Sequence, residues 1–339
     1  MKRTFIMAIV LLSLALALAA QPLKEQVDYT IGISKMVSHP ALDAIEQGII
    51  DSLEATGKSF RFDLQNCNGD IPVAITIAQK FKADNHDLVI GIATPPAQAL
   101  VQVIKERPVV FSAISDPLAA GLVADYERSE ETNVCGISDM NPMTLQLETF
   151  FRIVRPQSLG MIYTSSEANA VAQMETAREI CNAHGIRFVA VAINNSSEVK
   201  MAAQSVVGRI DAMFVGIDNT VVSAIPSVSE VCAKAAIPLF NTDTTSSEGI
   251  DFLMSWGFNY YTVGVETASA VLRILDGEKP KDIGTIFFDD PAQFELWFNL
   301  DVAKRLGITI PDDLLSSAAV LYEQGQKIVR PHSTGITST

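Results

Sequence analysis

The sequence predicts an α/β protein of two similar lobes, each with a parallel sheet flanked by helices. The main observation is a repeat: residues 86–98 (HDLVIGIATPPAQ) and 211–220 (DAMFVGIDNT) both place an aspartate before an apolar run that contains one glycine. Each run ends at a polar residue seven positions after its aspartate, at Thr94 and at Asp218. Two similar α/β halves indicate a cleft between them, with polar strand ends on both sides.

The first half alternates strand and helix patterns, which indicates βαβ units and a parallel sheet. Apolar or alternating runs predict strands at residues 29–34, 59–64, 88–93 and 109–113. Helices are expected to begin near Pro40 and Pro72, because proline is tolerated in the first turn of a helix. The first of these helices has its apolar residues at helical spacing, namely Leu42, Ile45, Ile49 and Leu53.

The same order of patterns restarts in the second half, after a predicted crossing strand at 134–138 and a helix from about 142 to 154. Strands are predicted at 159–163, 187–193, 211–218 and 238–241, and helices at 170–182, 199–208, 261–275 and 300–306. Crossings near 136–141, 250–257 and 285–292 would form a hinge between the lobes. The predicted N-terminal lobe is 28–137 plus 257–285, the C-terminal lobe is 138–256 plus 286–322, and 323–339 is predicted to be a frayed tail.

The N-terminus is typical of an export signal. Lys2 and Arg3 precede an apolar run that ends in a small-x-small pattern before residue 20, which predicts a cleaved signal peptide at 1–20. An uncleaved anchor is the alternative. The formal net charge is −14 at pH 7, which argues against a nucleic acid or an anionic membrane surface as partner.

The cysteines and histidines do not form a cluster that predicts a metal ion, a cofactor or a nucleophile. Cys67, Cys135, Cys181 and Cys232 are dispersed and are interpreted as small buried residues. A Cys67–Cys135 disulfide is the alternative in an exported protein. His39 is interpreted as a capping or loop residue. An enzyme, such as a hydrolase that uses Asp116 or Asp218, would need an activated nucleophile or an acid–base pair, and the sequence shows neither.

Polar residues at the predicted strand ends form the candidate ligand site. Thr94 opens a helix whose free amides and dipole would favour a carboxylate, whereas Asp116 or Asp218 would pair with an amino group. The alternative for each of the three is a structural helix cap. The predicted ligand-binding residues are Ser34, Thr94, Ala97, Gln98, Ser115, Asp116, Tyr163, Ser166, Asn169, Asp218, Asn219 and Thr242.

Aromatic residues near the second half of the cleft give a further expectation. Tyr163, Trp256, Phe258 and Tyr260 are candidates for an apolar or stacking wall, with hinge or core packing as the alternative. A zwitterionic amino acid fits this set of polar and aromatic residues. A nucleoside, a small peptide or a sugar remains open as the ligand, and a sugar is the least favoured because few aromatic residues follow the strands.

Several ordered motifs resemble one family of binding proteins. In order along the chain they are HPALD at 39–43, ATPPAQ at 93–98, SDP at 115–117 with GLV at 121–123, NVCGISD at 133–139, YTSSEAN at 163–169 and DN at 218–219. Together they resemble the substrate-binding proteins of ABC transporters, in the group related to tryptophan/tyrosine-type uptake systems. The resemblance covers residues 28–322, and Pro96 departs from it because a small residue is common at that position.

The resemblance implies a periplasmic-binding-protein fold of the first type, with three crossovers and no catalysis. It also implies that the loops at Ser34, Thr94, Asp116, Tyr163 and Asp218 line the cleft. The expected function is a periplasmic receptor, without a lipid-attachment cysteine, that closes on a small zwitterion such as an aromatic amino acid. Its expected partner is an ABC permease in the inner membrane, and the receptor is expected to be a monomer. The alternative is a sensor module that presents the ligand to a receptor.

Overall fold

The computed structural model describes residues 27–126, 132–288 and 293–330. The strands in chain order are β1 (Tyr29–Lys35), β2 (Phe60–Asn66), β3 (Leu88–Ile92), β4 (Val109–Ser112), β5 (Val134–Ile137), β6 (Ser158–Thr164), β7 (Arg187–Ile193), β8 (Ala212–Val215), β9 (Leu239–Asn241), β10 (Met254–Phe258), β11 (Thr285–Ile286), β12 (Phe294–Asn299), β13 (Val320–Glu323) and β14 (Gln326–Val329).

The helices lie mainly between consecutive strands, as βαβ units require. In chain order they are α1 (Pro40–Glu54), α2 (Ile71–Asp84), α3 (Thr94–Val103), α4 (Met143–Val154), α5 (Ala168–Ala183), α6 (Val199–Val206), α7 (Asn219–Ser223), α8 (Ile225–Ala235), α9 (Tyr260–Leu275), α10 (Pro280–Ile283), α11 (Leu300–Leu306) and α12 (Asp312–Ser317).

These elements form two lobes, each built on one sheet. The N-terminal lobe has six strands in the order β11-β5-β4-β3-β1-β2, and every pair of neighbouring strands in this sheet is parallel. The C-terminal lobe has eight strands in the order β14-β13-β12-β10-β9-β8-β6-β7. Its strands from β7 to β10 are parallel, whereas β12 runs antiparallel to β10. The predicted fold class, two parallel α/β lobes with three crossovers, is confirmed.

The second crossing lies a little later in the chain than the sequence predicts. Gly257 pairs with Glu295 and Phe258 pairs with Phe294, so β10 belongs to the C-terminal sheet over its whole length. The chain therefore crosses at Asn259, beyond the predicted segment 250–257. The reason is that β10 is buried along its length between β9 and β12. The third crossing follows β11, and residues 289–292 of it lie outside the described residues.

The predicted frayed tail is wrong for residues 326–329, which form strand β14 of a hairpin with β13. The turn is fixed by Asp301, whose carboxylate accepts the N–H groups of Gln324 (2.9 Å) and Gly325 (2.8 Å). β14 is exposed along its length, including Ile328 and Val329, so burial gives no signal for this strand. Residues 331–339 lie outside the described residues.

Two glycines allow helices α1 and α9 to cross in close contact in the N-terminal lobe. A Cβ atom built on Gly48 would lie 2.4 Å from the carbonyl oxygen of Tyr261, and one on Gly264 would lie 2.2 Å from that of Ile45. Because both obstacles are backbone atoms, a rotamer change cannot relieve the clash. The contact matters for the site, since α1 and α9 each begin at the cleft.

We expect Gly264→Ala to lower the free energy of unfolding by about 1–3 kcal/mol, the usual cost of overpacking a tight contact. The change should appear as a lower midpoint in urea unfolding followed by far-UV circular dichroism. Gly208→Ala is the matched control, because a Cβ atom there has no neighbour within 4 Å. Equal midpoints for the two variants would show that α1 and α9 do not need this close contact.

All four cysteines are buried and free, as the sequence analysis favoured, and the alternative Cys67–Cys135 disulfide is not formed. Burial raises the pKa of Cys135 and Cys232 to about 12, so neither is a reactive thiolate at neutral pH. Within the described ranges, no helix combines the length and the apolar character that crossing a membrane requires. The predicted signal peptide, 1–20, lies outside these ranges.

Candidate functional site

A cavity lies between the two lobes, at the carboxyl ends of the parallel strands. It is narrow: the centre of a water molecule can occupy only about 20 Å³ of it, although the space between the lining atoms, with the solvent at the mouth, is about 350 Å³. The N-terminal lobe and its crossings supply His39, Ala41, Leu42, Ala113, Asp139 and Tyr260, and the C-terminal lobe supplies Asn169, Ile217, Asp218, Asn219, Val222 and Asp243. Three carboxyl groups therefore face one small space, and none of the described residues that line it is Lys or Arg.

Three of the twelve predicted ligand-binding residues line this cavity, namely Asn169, Asp218 and Asn219. All three come from the C-terminal lobe, where β6 and β8 are neighbours in the sheet. The loops after adjacent parallel strands leave the sheet at the same edge, so residues 54 positions apart, such as Thr164 and Asp218, come into contact.

Asp218 is almost fully buried and caps the first turn of α7. Its carboxyl accepts the N–H of Thr164 (2.6 Å), the hydroxyl of Thr164 (2.7 Å) and the N–H of Val221 (3.0 Å). Burial raises the pKa of Asp218 to about 7, and repulsion from the Glu167 carboxylate adds to the rise. Asp218 therefore caps α7, as its alternative predicts, and it also lines the cavity.

Glu167 is the main structural residue of the site that the sequence analysis missed. It is fully buried and accepts four hydrogen bonds: the backbone and side-chain N–H groups of Asn219 (3.2 and 2.6 Å) and the N–H and hydroxyl of Thr220 (3.0 and 2.7 Å). Its carboxylate therefore occupies the start of α7, where the helix dipole favours a negative charge. The only local signal in the sequence is its place just before α5, which is typical of a cap for that helix, but its side chain makes no such bond.

Asp139 and Asp243 are the two other carboxyl groups of the cavity. Asp139 follows β5 and accepts hydrogen bonds from the hydroxyls of Ser115 and Tyr260, both at 3.2 Å. Asp243 follows β9 and accepts the N–H (2.9 Å) and hydroxyl (2.6 Å) of Ser246. Burial raises the pKa of Asp139 to about 6 and also raises the pKa of Asp243.

His39 and Asn169 carry polar atoms that are buried without a hydrogen-bond partner. Both ring nitrogens of His39 and the Oδ1 of Asn169 are in this state, while the Nδ2 of Asn169 donates to the carbonyl of Ile217 at 2.8 Å. His39 occupies the N-cap position of α1, as the capping interpretation predicts, but its side chain makes no capping hydrogen bond. Unpaired buried polar groups cost free energy, which a ligand with matching groups would recover.

The predicted carboxylate site at the start of α3 is poorly supplied with donors. Pro95 and Pro96 have no N–H, and the N–H of Ala97 donates to the carbonyl of Ala93 at 3.3 Å. Thr94 is buried as the first residue of α3, and the N-cap is Ala93, in the left-handed region at φ 76°. Ala97 packs on β3, since a Cβ atom on Gly91 would lie 2.6 Å from its Cα.

Several other predicted residues are engaged in bonds within one lobe. Gln98 donates to the carbonyl of Ala120 at 2.9 Å. Asp116 accepts from the N–H groups of Leu118 and Ala119 and from the hydroxyl of Tyr126. It therefore stabilises a turn at 117–121, and the helix that its capping alternative requires is not formed there. Asp116, Gln98, Thr94 and Ala97 do not line the cavity in this arrangement of the lobes.

The remaining predicted residues also lie outside the cavity lining. Ser34 contacts the sulfur of Cys67 at 3.5 Å, Ser115 bonds to Asp139, and Thr242 donates to the carbonyl of Val215 at 3.2 Å. Tyr163 is half-buried and Ser166 is exposed.

Among the four candidates for an aromatic wall, only Tyr260 reaches the cavity. Trp256 and Phe258 are buried, and Phe258 packs against Phe294 with ring centroids 4.3 Å apart. Trp256 therefore matches the alternative of core packing in the C-terminal lobe.

A second cluster of potential ligand atoms lies away from the cavity. Asp63, Asp84 and His86 come within 4.8 Å of one another. Lys80 forms salt bridges with both carboxylates, so its ammonium group already supplies the positive charge that a metal ion would bring. The cluster is therefore a structural ion pair on the outer face of the N-terminal lobe.

Comparison with known proteins identifies the family. Residues 30–321 match the family of ABC transporter substrate binding proteins. The chain belongs to this family. A tyrosine-binding protein of Clostridioides difficile is 34% identical over 282 residues, which cover 81% of this chain and 80% of the relative. The resemblance that the ordered motifs suggested is thereby confirmed, and members of this family bind solutes rather than catalyse reactions.

Two solved structures are similar along nearly their whole length. An ABC domain in complex with L-Trp, from Streptococcus pneumonia, is 32% identical and superposes with a TM-score of 0.81 over 86% of this chain and 99% of that one. The ligand-free, open structure of a substrate binding protein with adhesive properties, from Clostridium difficile, is 34% identical and superposes with a TM-score of 0.62 over 84% and 97%. The two structures have similar sequence identity to this chain, but the L-Trp complex superposes on it much better than the open structure does.

Proposed function

We propose that this chain is the extracytoplasmic receptor of an ABC importer and that its two lobes close on an aromatic amino acid. The observation that carries the proposal is the cavity between the lobes, which Asp139, Asp218 and Asp243 line together without Lys or Arg among the described lining residues. Such a site suits a ligand that brings an ammonium group, because a buried carboxylate needs a positive partner.

Lobe closure is supported by the two solved relatives. At nearly equal identity, this chain superposes better on the L-Trp complex (0.81) than on the ligand-free, open structure (0.62). Contacts across the cleft agree with a closed arrangement, because α1 approaches residues Thr245–Ser247 and α3 approaches α5. We infer that the arrangement of lobes described here is the ligand-bound one.

The amino acid class is supported by the apolar part of the lining and by the relatives. Ala41, Leu42, Ile217 and Val222 provide apolar surface beside the polar groups, as a side chain of an amino acid would require. The names of two relatives mention tyrosine and L-Trp. An aromatic amino acid combines an ammonium group with an apolar ring, and so has a counterpart for both the carboxyl groups and the apolar residues of this lining.

The proposal includes a periplasmic location and a permease partner. Residues 1–20 have the pattern of a signal peptide, and the family supplies its ligands to ABC transporters. Delivery would require the permease to favour the open state, in which the charges of the ligand regain water. We propose that the receptor acts as a monomer.

A thermal-shift screen of the chain from residue 21 onward tests the proposal. We expect tryptophan or tyrosine to raise the unfolding midpoint by mass action, with a stabilisation of about 2.7 kcal/mol at a concentration 100 times the Kd. Leucine, glucose and adenosine serve as controls for the side chain, for sugars and for nucleosides. A shift with glucose or adenosine alone, or no shift with any amino acid, would contradict the proposed ligand.

A further inference from the structure

We propose that His39 and the first turn of α1 form the seat for the carboxylate of the ligand. This inference rests on the proposed function, since it assigns one half of a zwitterion to named atoms. The ligand class it implies is an α-amino acid, as opposed to an amine without a carboxylate. Three features support it: the donors at the start of α1, the imidazole beside them, and the obstruction of the other helix starts at the cleft.

The first turn of α1 presents backbone donors to the cavity. Ala41 and Leu42 line it, and the N–H groups of the first helical turn have no acceptor within the helix. Pro40 has no N–H, and the N–H of Asp43 donates to the carbonyl of His39 at 3.0 Å. The N-cap residue leaves the turn uncapped by its side chain. The helix is 15 residues long, so its dipole adds a favourable field for an anion.

The imidazole of His39 supplies a further hydrogen-bonding group beside this turn. Only 7% of the surface of His39 is exposed, it lines the cavity, and neither ring nitrogen has a partner with hydrogen-bond geometry. The Asn219 side chain from the opposite lobe lies close enough to act on the pKa of His39. A neutral imidazole carries one N–H donor and one acceptor nitrogen. Its N–H can therefore complete the donor set of Ala41 and Leu42 for a carboxylate.

The other helix starts at the cleft are less suited to an anion. At α3 two prolines remove the donors, and at α7 the Glu167 carboxylate already accepts the N–H groups of Asn219 and Thr220. At α5 the unpaired atom is the Oδ1 of Asn169, an acceptor, which would repel a carboxylate and attract an ammonium group.

Asp243 can serve as the partner of the ammonium group. It lines the same cavity as His39, from the opposite lobe, and among the acidic groups that raise the pKa of His39 it acts most strongly, followed by Asp43 and Glu167. In an α-amino acid the ammonium and carboxylate groups are separated by one carbon atom, so both partners must border one space. A bound zwitterion would then connect the lobes through His39 and Asp243.

Isothermal titration of four protein forms with two ligand pairs tests this assignment. The pairs are tryptophan with tryptamine and tyrosine with tyramine, each differing by the carboxylate alone. The parent protein is expected to bind the amino acid about 10- to 100-fold more tightly than its amine, as expected for a hydrogen-bonded charge. In His39→Leu the amino acid is expected to lose most of that advantage while the amine keeps its affinity within about threefold.

Two further variants complete the design. His39→Gln keeps a donor and is expected to retain part of the preference for the amino acid. His184→Gln, which changes a histidine bonded to Glu148 on the C-terminal lobe, is expected to match the parent. Equal losses for amino acid and amine in a folded His39→Leu protein would overturn the carboxylate assignment alone. A parent protein that binds no amino acid would overturn the proposed function and this inference together.

Discussion

Replacement of Glu167 by alanine is expected to lower the free energy of unfolding by about 3–5 kcal/mol, the largest loss we expect from one substitution in this chain. The carboxylate accepts four hydrogen bonds in a fully buried position. Without it, the donors of Asn219 and Thr220 remain buried and unpaired, and each such group costs about 1–3 kcal/mol. The start of α7 would also lose its compensating negative charge.

Urea unfolding followed by circular dichroism measures this effect. Glu179→Ala, at an exposed position of α5, is the matched control and is expected to change stability by less than about 0.5 kcal/mol. Glu167→Gln separates charge from shape, because its amide keeps one acceptor and turns an N–H group toward the existing donors. A loss below about 1 kcal/mol for Glu167→Ala would show that water or a rearranged loop replaces the carboxylate.

The same variant is expected to weaken ligand binding, because Asp218 and Asn219 flank the bonds that Glu167 makes. A Glu167→Ala protein that is destabilised but binds the ligand with unchanged affinity would show that Glu167 stabilises the fold without shaping the ligand site. This coupling of stability and binding follows from the use of one carboxylate to hold the start of α7 in place.

The repeat of the two halves could be predicted because its signals are local. Apolar runs of four to seven residues, led by Asp or Pro and followed by helical spacing, define each βαβ unit without reference to the rest of the chain. The prediction differs from the structure at β10 and β14, because the strand with which each pairs decides where it ends and whether it forms. Local composition cannot reveal that Gln326–Val329 finds β13 as its partner.

The site was predicted less completely, because it depends on which loops meet and on which way each side chain turns. In the loop after β9 the sequence predicts Thr242 as a ligand-binding residue, whereas its neighbour Asp243 lines the cavity. Successive residues in extended backbone point to opposite sides, so an error of one position moves a side chain out of the site. Thr242 instead bonds to the carbonyl of Val215, on the neighbouring strand β8.

His39 illustrates a second reason. Its sequence context, before a proline that opens a helix, is the same for an ordinary cap and for a ligand contact. Only the structure shows that the opposite lobe covers the imidazole and leaves both of its nitrogens without a partner. The functional signal is therefore an unmet hydrogen-bonding requirement, which no residue pattern expresses.

The empty protein is expected to become less stable, and to bind its ligand more tightly, as the pH rises from 5 to 8. Burial raises the pKa of Asp139 to about 6 and of Asp218 to about 7. A carboxyl whose pKa is higher in the folded state binds more protons there, so its stabilising effect is complete below the unfolded value near 4 and is lost as the pH rises through the folded value. For Asp139 the loss is on the order of 3 kcal/mol.

His39 acts in the opposite direction over part of this range. Burial lowers the pKa of His39, although the charges of Asp243, Asp43 and Glu167 oppose the change. The folded state then binds fewer protons at this residue, and its contribution to stability rises with pH up to about 6.5. The carboxyl groups lose their stabilising effect mainly between pH 5 and 7, up to their folded-state pKa values. His39 therefore reduces the net fall below about pH 6.5 and no longer opposes it above that pH.

Urea unfolding at pH 5, 6.5 and 8, with and without the amino acid that the thermal screen identifies, measures both effects. Asp139→Asn removes one titrating group while keeping its shape, so the decline in stability with pH should become smaller. Asp282→Asn, at an exposed position, should follow the parent. Deprotonated carboxyl groups attract an ammonium group most strongly, so the stabilisation by the ligand should grow with pH. Ligand stabilisation that is constant or falls from pH 5 to 8 would mean that the ammonium group does not lie among these carboxylates.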